Sequence, residues 1–205
     1  MADPGRRKSR GGTAAGKQAG GTGSIRIIGG SLRGSRLPVP ERPGLRPSSD
    51  RVRETLFNWL QHEIAGARVA DLFAGTGCLA LESLSRGAAA AIAIERDAGL
   101  AEQLRAQAAR LAVADRLQVR CLDACTAAPM AGEQADIVFL DPPFQADLWQ
   151  AAVAAAGRWL KPRGWVYLES SPQAALQPAA GWHLHREGQT RDVRFALYRV
   201  EPDGR

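Results

Sequence analysis

From Arg68 to Ser170 the chain alternates short, nearly unbroken apolar runs with segments whose apolar residues recur every three or four positions. Few architectures accept that pattern. A strand that is apolar on both sides must be covered on both faces, and parallel strands need helical crossovers to supply the cover. "RVADLFA", "AAAIAIE", "RLQVRCL", "ADIVFLD" and "GWVYLES" are the predicted strands. Cys78–Ser85, a segment with Leu100, Leu104, Ala108 and Leu111 on one face, and Leu148–Leu160 are the predicted helices. "WHLHRE" and "VRFALYRV" follow with only a polar turn between them, which predicts an antiparallel pair. The expectation is an α/β fold built on a mostly parallel sheet with right-handed crossovers.

Upstream the pattern changes. "SIRIIGGSLRGSRLPVP" predicts two short strands with Gly29-Gly30 as a hairpin turn. "ERPGLRP" is a broken loop. Ser48, Ser49 and Asp50 then offer N-caps to a helix with Val52, Leu56, Leu60 and Ile64 on one face. Residues 1–23 have no periodicity and too little apolar content to offset ordering, which predicts disorder. Charge is divided unevenly. The first 53 residues hold twelve Lys/Arg against three Asp/Glu, a net +9, and the remainder is −3. Such asymmetry points to a polyanion, most often nucleic acid, and makes Arg26, Arg33 and Arg36 candidate phosphate contacts.

Other features exclude classes. At 205 residues and 45% hydrophobic content the chain suits one domain with a core. No apolar stretch approaches the ~20 residues of a membrane span. The basic N-terminus has no apolar segment behind it, so it is not a secretory signal. Cys78, Cys121 and Cys125 are read as core residues of a reduced, cytoplasmic protein, and no His or Cys spacing suggests a metal.

Two segments carry chemistry. "DLFAGTGCLA" puts Asp71 in a strand, Gly75 and Gly77 in the turn, and a helix behind them. Ligands of open parallel sheets bind there, at the carboxyl ends of strands. Glu95 ends the next strand, 24 residues after Asp71, and suits ribose hydroxyls. Asp123 closes the third strand, where a carboxylate can receive an adenine amino group. The glycine spacing alone also fits a dinucleotide. Asp71 argues against one, because a pyrophosphate would repel it where a sulfonium or an amino group would not. The second segment is "DPPF". Asp141 ends the fourth strand and faces the same crevice, and Pro142 and Pro143 give a rigid frame of carbonyls without N–H donors. A carboxylate beside a fixed carbonyl suits an exocyclic –NH₂, and Phe144 can stack on a base. The residues thus predict an amino methyltransferase acting on a nucleic-acid base.

These blocks resemble a known family. "IRIIGGSLRGSRLPVP", "GLRPSSDRVRETLFNWL", "DLFAGTGCLALESLSRGA" and "IVFLDPPF", in that order, are similar to the bacterial 16S rRNA (guanine(966)-N2)-methyltransferase family, the RsmD family. The resemblance runs from residue 24 to about 200. It implies a Rossmann-like, seven-stranded class I methyltransferase fold using S-adenosylmethionine (SAM), with S-adenosylhomocysteine as product and no metal. It implies donor binding by Asp71, Phe73, Gly75 and Gly77, ribose at Glu95 and adenine near Asp123. "RPSSDRVRE" would close over the methionine end, with Ser48 where the family pattern has threonine. Asp141, Pro142 and Phe144 would hold the guanine amine. The implied partner is 16S rRNA in the small ribosomal subunit, with ribosomal protein contacts at the target. Nothing in the sequence demands more than a monomer.

The expected organisation is a tail (1–23), an RNA-facing hairpin and loop (24–47), a methyltransferase domain (48–201) and a flexible C-terminus (202–205). Three alternatives stand beside this reading. DNA adenine-N6 methylation shares the Asp-Pro-Pro logic but usually needs a recognition segment for which there is no room. A non-catalytic ribosome-assembly factor would not need Asp141 and both glycines. A NAD-dependent dehydrogenase leaves "DPPF" unexplained.

Overall fold

The apolar runs form the centre of one sheet. The computed structural model describes residues 23–40, 49–143, 148–174 and 177–201. The expectations for residues 1–22, the 41–47 loop, Ser48, Phe144 and residues 202–205 lie outside the described residues. Strands β1 (Gly23–Arg26) and β2 (Arg36–Val39) precede helix α1 (Asp50–Trp59). The alternating part then runs β3 (Arg68–Asp71), α2 (Cys78–Ser85), β4 (Ala90–Ile94), α3 (Ala98–Arg110), β5 (Leu117–Arg120), β6 (Ala135–Leu140), α4 (Trp149–Trp159) and β7 (Leu160–Ser170). Strands β8 (Trp182–Gln189) and β9 (Arg194–Val200) close it.

The seven-stranded sheet has the order β5-β4-β3-β6-β7-β9-β8. β3 pairs in parallel with both β4 and β6, so the winding reverses between β3 and β6. β9 enters antiparallel between β7 and β8. Strand alternation divides the core. Val69, Ala91, Ala93, Ile137, Phe139, Trp165 and Tyr167 pack with α1, α2, α3 and the hairpin. Ala70, Ile92, Val138, Leu140, Val166 and Leu168 pack with α4 on the other face. Among the described residues no helix is long and apolar enough to cross a membrane.

Three expectations are corrected. Helix α1 starts where the Ser49 side chain accepts the Val52 N–H, but it ends at Trp59. Leu60 and Ile64 are buried all the same, because the chain makes one further turn in which the Ile64 N–H donates to the Leu60 carbonyl. Gly29-Gly30 lies in the reversal but is only the start of a longer one. The pairing of β1 with β2 continues to Ile27 and Ser35, and the chain reverses over residues 28–34. Gly30 also permits docking: its φ is +74°, and a Cβ there would lie 1.8 Å from the Ser85 carbonyl oxygen at the end of α2. Among the cysteines only Cys78 is buried, whereas Cys121 is exposed and Cys125 partly so.

A buried ionic network holds the docked hairpin. Glu82 is inaccessible to solvent and accepts the N–H groups of Ile28 (2.7 Å) and Gly29 (2.8 Å) and the Arg86 Nε–H (2.7 Å). Arg53, equally buried, lies 3.5 Å from Glu82 and donates through Nη2 to the Arg26 carbonyl and to Asp50. On the other side Gln103 donates to the Pro38 carbonyl and Arg110 to the Arg36 carbonyl. The hairpin is therefore a cover for the α2–α3 face as well as an exposed surface.

Candidate active site at the carboxyl edge of the sheet

Strand alternation puts four acids on one face. Asp71 follows Val69, Glu95 follows Ala93, Asp141 follows Phe139 and Glu169 follows Tyr167, each on the α1–α2 side at the carboxyl end of its strand. The row straddles the β3/β6 switch point, where an open α/β sheet opens a crevice. Sequence reasoning found three of the four. It passed over Glu169, although "VYLE" ends in an acid just as "VFLD" does.

The turn after β3 is stitched to its neighbours. The Leu72 N–H donates to the Phe139 carbonyl and the Ala74 N–H to the Ile94 carbonyl. Glu95 accepts the Gly75 N–H (2.8 Å) on one oxygen and the Asp97 N–H (2.7 Å) on the other. These bonds fix its carboxylate and leave further lone pairs for hydroxyl donors. Gly77 has φ +75°, and a Cβ there would meet Leu104 at 2.2 Å, so the turn needs glycine to bring α3 close.

Asp71 is the tension point. It is 1% exposed, and neither carboxyl oxygen has a hydrogen-bond partner among the described residues. Burial, with help from the Glu95 and Glu169 charges, raises its pKa from 3.8 to about 7. The Ala80 and Phe73 amides pull it down in part. They influence the charge without reaching hydrogen-bond geometry. An unpartnered buried carboxyl is costly, and a cationic ligand would relieve it. The donor set therefore fits a ligand with an ammonium or sulfonium group and ribose hydroxyls. Phe73 is partly buried and packs against the α4-side core.

Asp123 does not close a strand. β5 ends at Arg120, and Asp123 sits exposed in the following turn, where its side chain accepts the Cys125 N–H. It lies three residues beyond the carboxyl end of β5. Asp141 lies one residue past β6, partly exposed, followed by buried Pro142 and exposed Pro143. Two further groups complete the floor. The Tyr167 hydroxyl donates to Glu169 at 2.8 Å. Burial first, then Glu169, push that hydroxyl well above the ordinary tyrosine range, so it remains a donor. Burial likewise pushes the Cys78 thiol up to about 12, which removes it as a nucleophile.

Of the hairpin arginines, Arg26 pairs with Asp50 at 2.8 Å, Arg36 donates to Ser24, and Arg33 is exposed in the reversal. Arg26 and Arg36 are register partners across the two strands. A separate concavity of about 180 Å³, with Trp149, Val153, Trp182 and Tyr198 in its wall, lies on the α4 face. Its lining among the described residues is apolar, aromatic or amide.

Comparison with known proteins agrees with this geometry. The family profile described as "Conserved hypothetical protein 95" matches residues 25–199. The ribosomal RNA small subunit methyltransferase D of Escherichia coli (strain K12) is 43% identical over 187 residues, covering 90% of this chain and 94% of that protein. The solved structure of yhhF from Escherichia coli superposes with a TM-score of 0.79 at 43% identity, covering 87% of this chain and 99% of the other. Magnesium protoporphyrin IX methyltransferase from Synechocystis PCC 6803, solved with bound SAM, shares the fold alone, with TM-score 0.61, 18% identity and coverage of 74% and 79%. A mostly parallel sheet of this order, with a glycine turn and Asp-Pro-Pro at its switch point, defines a Rossmann-like methyltransferase. The chain belongs to the ribosomal RNA small subunit methyltransferase D family.

Proposed function

We propose that this protein transfers a methyl group from S-adenosylmethionine to the exocyclic N2 amine of a guanine in 16S rRNA, acting in the cytoplasm on the small ribosomal subunit. The observation that carries the reading is the single row of carboxyls at the switch point, with an unpartnered Asp71 on one side and Asp141-Pro142-Pro143 on the other. Bound in this row, the donor supplies an electrophilic methyl carbon on a sulfonium sulfur. Asp71 faces its cationic end, Gly75 and Gly77 admit its backbone, Glu95 takes ribose hydroxyls, and Asp123 takes the adenine amine. Ser48 and Phe73 complete the enclosure.

Asp141 and the Pro142 carbonyl accept the two N2 hydrogens, and Phe144 stacks on the base. This matters because the lone pair of a base amine is delocalised into its ring. Accepting its hydrogens localises the pair and accommodates the positive charge that develops as the N–C bond forms and the S–C bond breaks. The amine proton then leaves through Asp141. Holding nitrogen and carbon in line at ~3–3.5 Å contributes several kcal/mol through orientation alone. The base must leave its stack or lie in an open loop to reach Asp141.

The test is a transfer assay with labelled donor on small subunits lacking the modification, naked 16S rRNA and duplex DNA. The expected product is N2-methylguanosine from the subunit or the rRNA. N6-methyladenine in the DNA would overturn the substrate. Asp141→Ala is expected to lower kcat by about 10²–10⁴-fold while donor affinity, read by calorimetry, stays within a few-fold. Full activity in that variant would remove Asp141 from the mechanism.

A further inference from the structure

Asp-Pro-Pro does not by itself choose a base. It receives an exocyclic amine, and adenine, cytosine and guanine all have one. What sets guanine apart is the neighbouring ring atom. Guanine carries N1–H beside its amine, two donors in a row, whereas adenine and cytosine present a ring-nitrogen acceptor next to theirs. A site selective for guanine therefore needs a second acceptor next to the one that takes the amine.

Glu169 occupies that position. Leu140 of β6 and Leu168 of β7 are the last register partners of the two strands. Asp141 and Glu169 each follow by one residue, on adjacent parallel strands ~4.8 Å apart, and alternation from Phe139 and Tyr167 carries both toward the α1–α2 side. Glu169 is 2% exposed and its Oε1 accepts the Tyr167 hydroxyl. Tyr167 is itself fixed by an edge contact with Phe139, 6.2 Å between ring centroids. The charges of Asp141 and Glu169 converge: both act on the Tyr167 hydroxyl and on the Cys78 thiol. The cation acting on the same thiol is Arg53, whose Nη2 donates to Asp50 and to the Arg26 carbonyl and whose Nη1 lies 3.5 Å from Glu82. Two carboxyls side by side suit a ligand edge made of two donors.

We propose that Glu169 is the specificity-determining residue of the acceptor site. Its carboxylate takes the N1–H of the target guanine while Asp141 takes the N2 amine, and the Tyr167 hydroxyl holds it in place. This inference rests on the reading of the site as a guanine-N2 methyltransferase. It explains discrimination in one direction: a base with a lone pair at the N1 position would set that pair against a buried carboxylate, and such buried mismatches are rejected strongly.

The test uses small subunits assembled with 16S rRNA that carries either guanosine or 2-aminopurine at the target. 2-Aminopurine keeps the C2 amine but has a lone pair at N1. The wild type is expected to favour guanosine by about 10²-fold or more in kcat/KM. Glu169→Gln can turn its amide –NH₂ toward N1, so its rate on guanosine should fall, its rate on 2-aminopurine should rise, and the preference should drop at least ten-fold. An equal loss on both substrates would assign Glu169 a structural role and overturn the proposal. A wild-type preference below ten-fold would overturn it whatever the variant does, including a variant that fails to fold. Absence of N2-methylguanosine from wild type and guanosine subunits would instead bring down the underlying reading.

Discussion

Asp71 shows how one buried group couples folding, donor binding and pH. Its folded pKa of about 7 lies above the ordinary 3.8. A raised carboxyl pKa stabilises the folded state fully below about pH 4, and that contribution disappears as pH rises through about 7. The shift corresponds to roughly 4 kcal/mol. Without ligand, Asp71→Asn is expected to melt near the wild type at pH 5 and above it at pH 8. With donor the order reverses: wild-type affinity should rise with pH through 7 as the carboxyl ionises against a cation, and the variant should lose both affinity and pH dependence. Melting curves from pH 5 to 8, with and without SAM, decide it, and identical slopes for the two proteins would refute the role. The acid was legible in the sequence, since "DLFAGTG" puts it ahead of the glycines. Its lack of a partner was not, because that depends on where α2 and β6 pack around it.

The hairpin and α2 form the unit where local reading fell short. Gly29-Gly30 looked like a turn because paired glycines usually mark one, yet the constraint on Gly30 comes from Ser85, 55 residues away. No local pattern carries that contact, just as nothing in "RVRETLF" announces that Arg53 will be buried against Glu82. The alternating strands and helices, by contrast, were readable from β3 to β9 because apolar periodicity is local. The hairpin contact has a measurable consequence. Gly30→Ala would place a methyl against a backbone carbonyl, so the hairpin tip must lift and leave Glu82 without its two amide partners. Losing partners to a buried charge costs about 3–5 kcal/mol, or ~6–20 °C in Tm. Because the glycine turn sits at the other end of α2, donor affinity should change less than three-fold while RNA affinity falls. Equal loss of both in calorimetric titrations would mean that the hairpin and the donor turn are not separable.

At the scale of the whole molecule the two signs of charge are kept apart. The first 53 residues carry +9 and the remainder −3, and much of the negative charge that matters lies in the carboxyl row. Arg26 and Arg36 face each other across β1 and β2, an arrangement that costs stability in isolation and that Asp50 offsets only at Arg26. A phosphate backbone would offset the rest. Binding to 16S rRNA should therefore weaken linearly in log affinity against log salt, with each arginine–phosphate contact adding ~0.7–0.9 to the slope. The reversal of the hairpin docks at the C-terminal end of α2, and the carboxyl row lies at its N-terminal end, ~12 Å away for an eight-residue helix. Charge removal on the hairpin should consequently act on capture and not on chemistry. The variant Arg26→Ala/Arg33→Ala/Arg36→Ala is expected to flatten the salt slope by about two to three and to raise KM for the subunit, with kcat within three-fold of wild type. Filter binding from 50 to 300 mM salt and steady-state kinetics on the same preparations test both halves. An unchanged slope would take RNA off the hairpin, and a collapse of kcat at unchanged KM would mean that the hairpin reaches the reacting base.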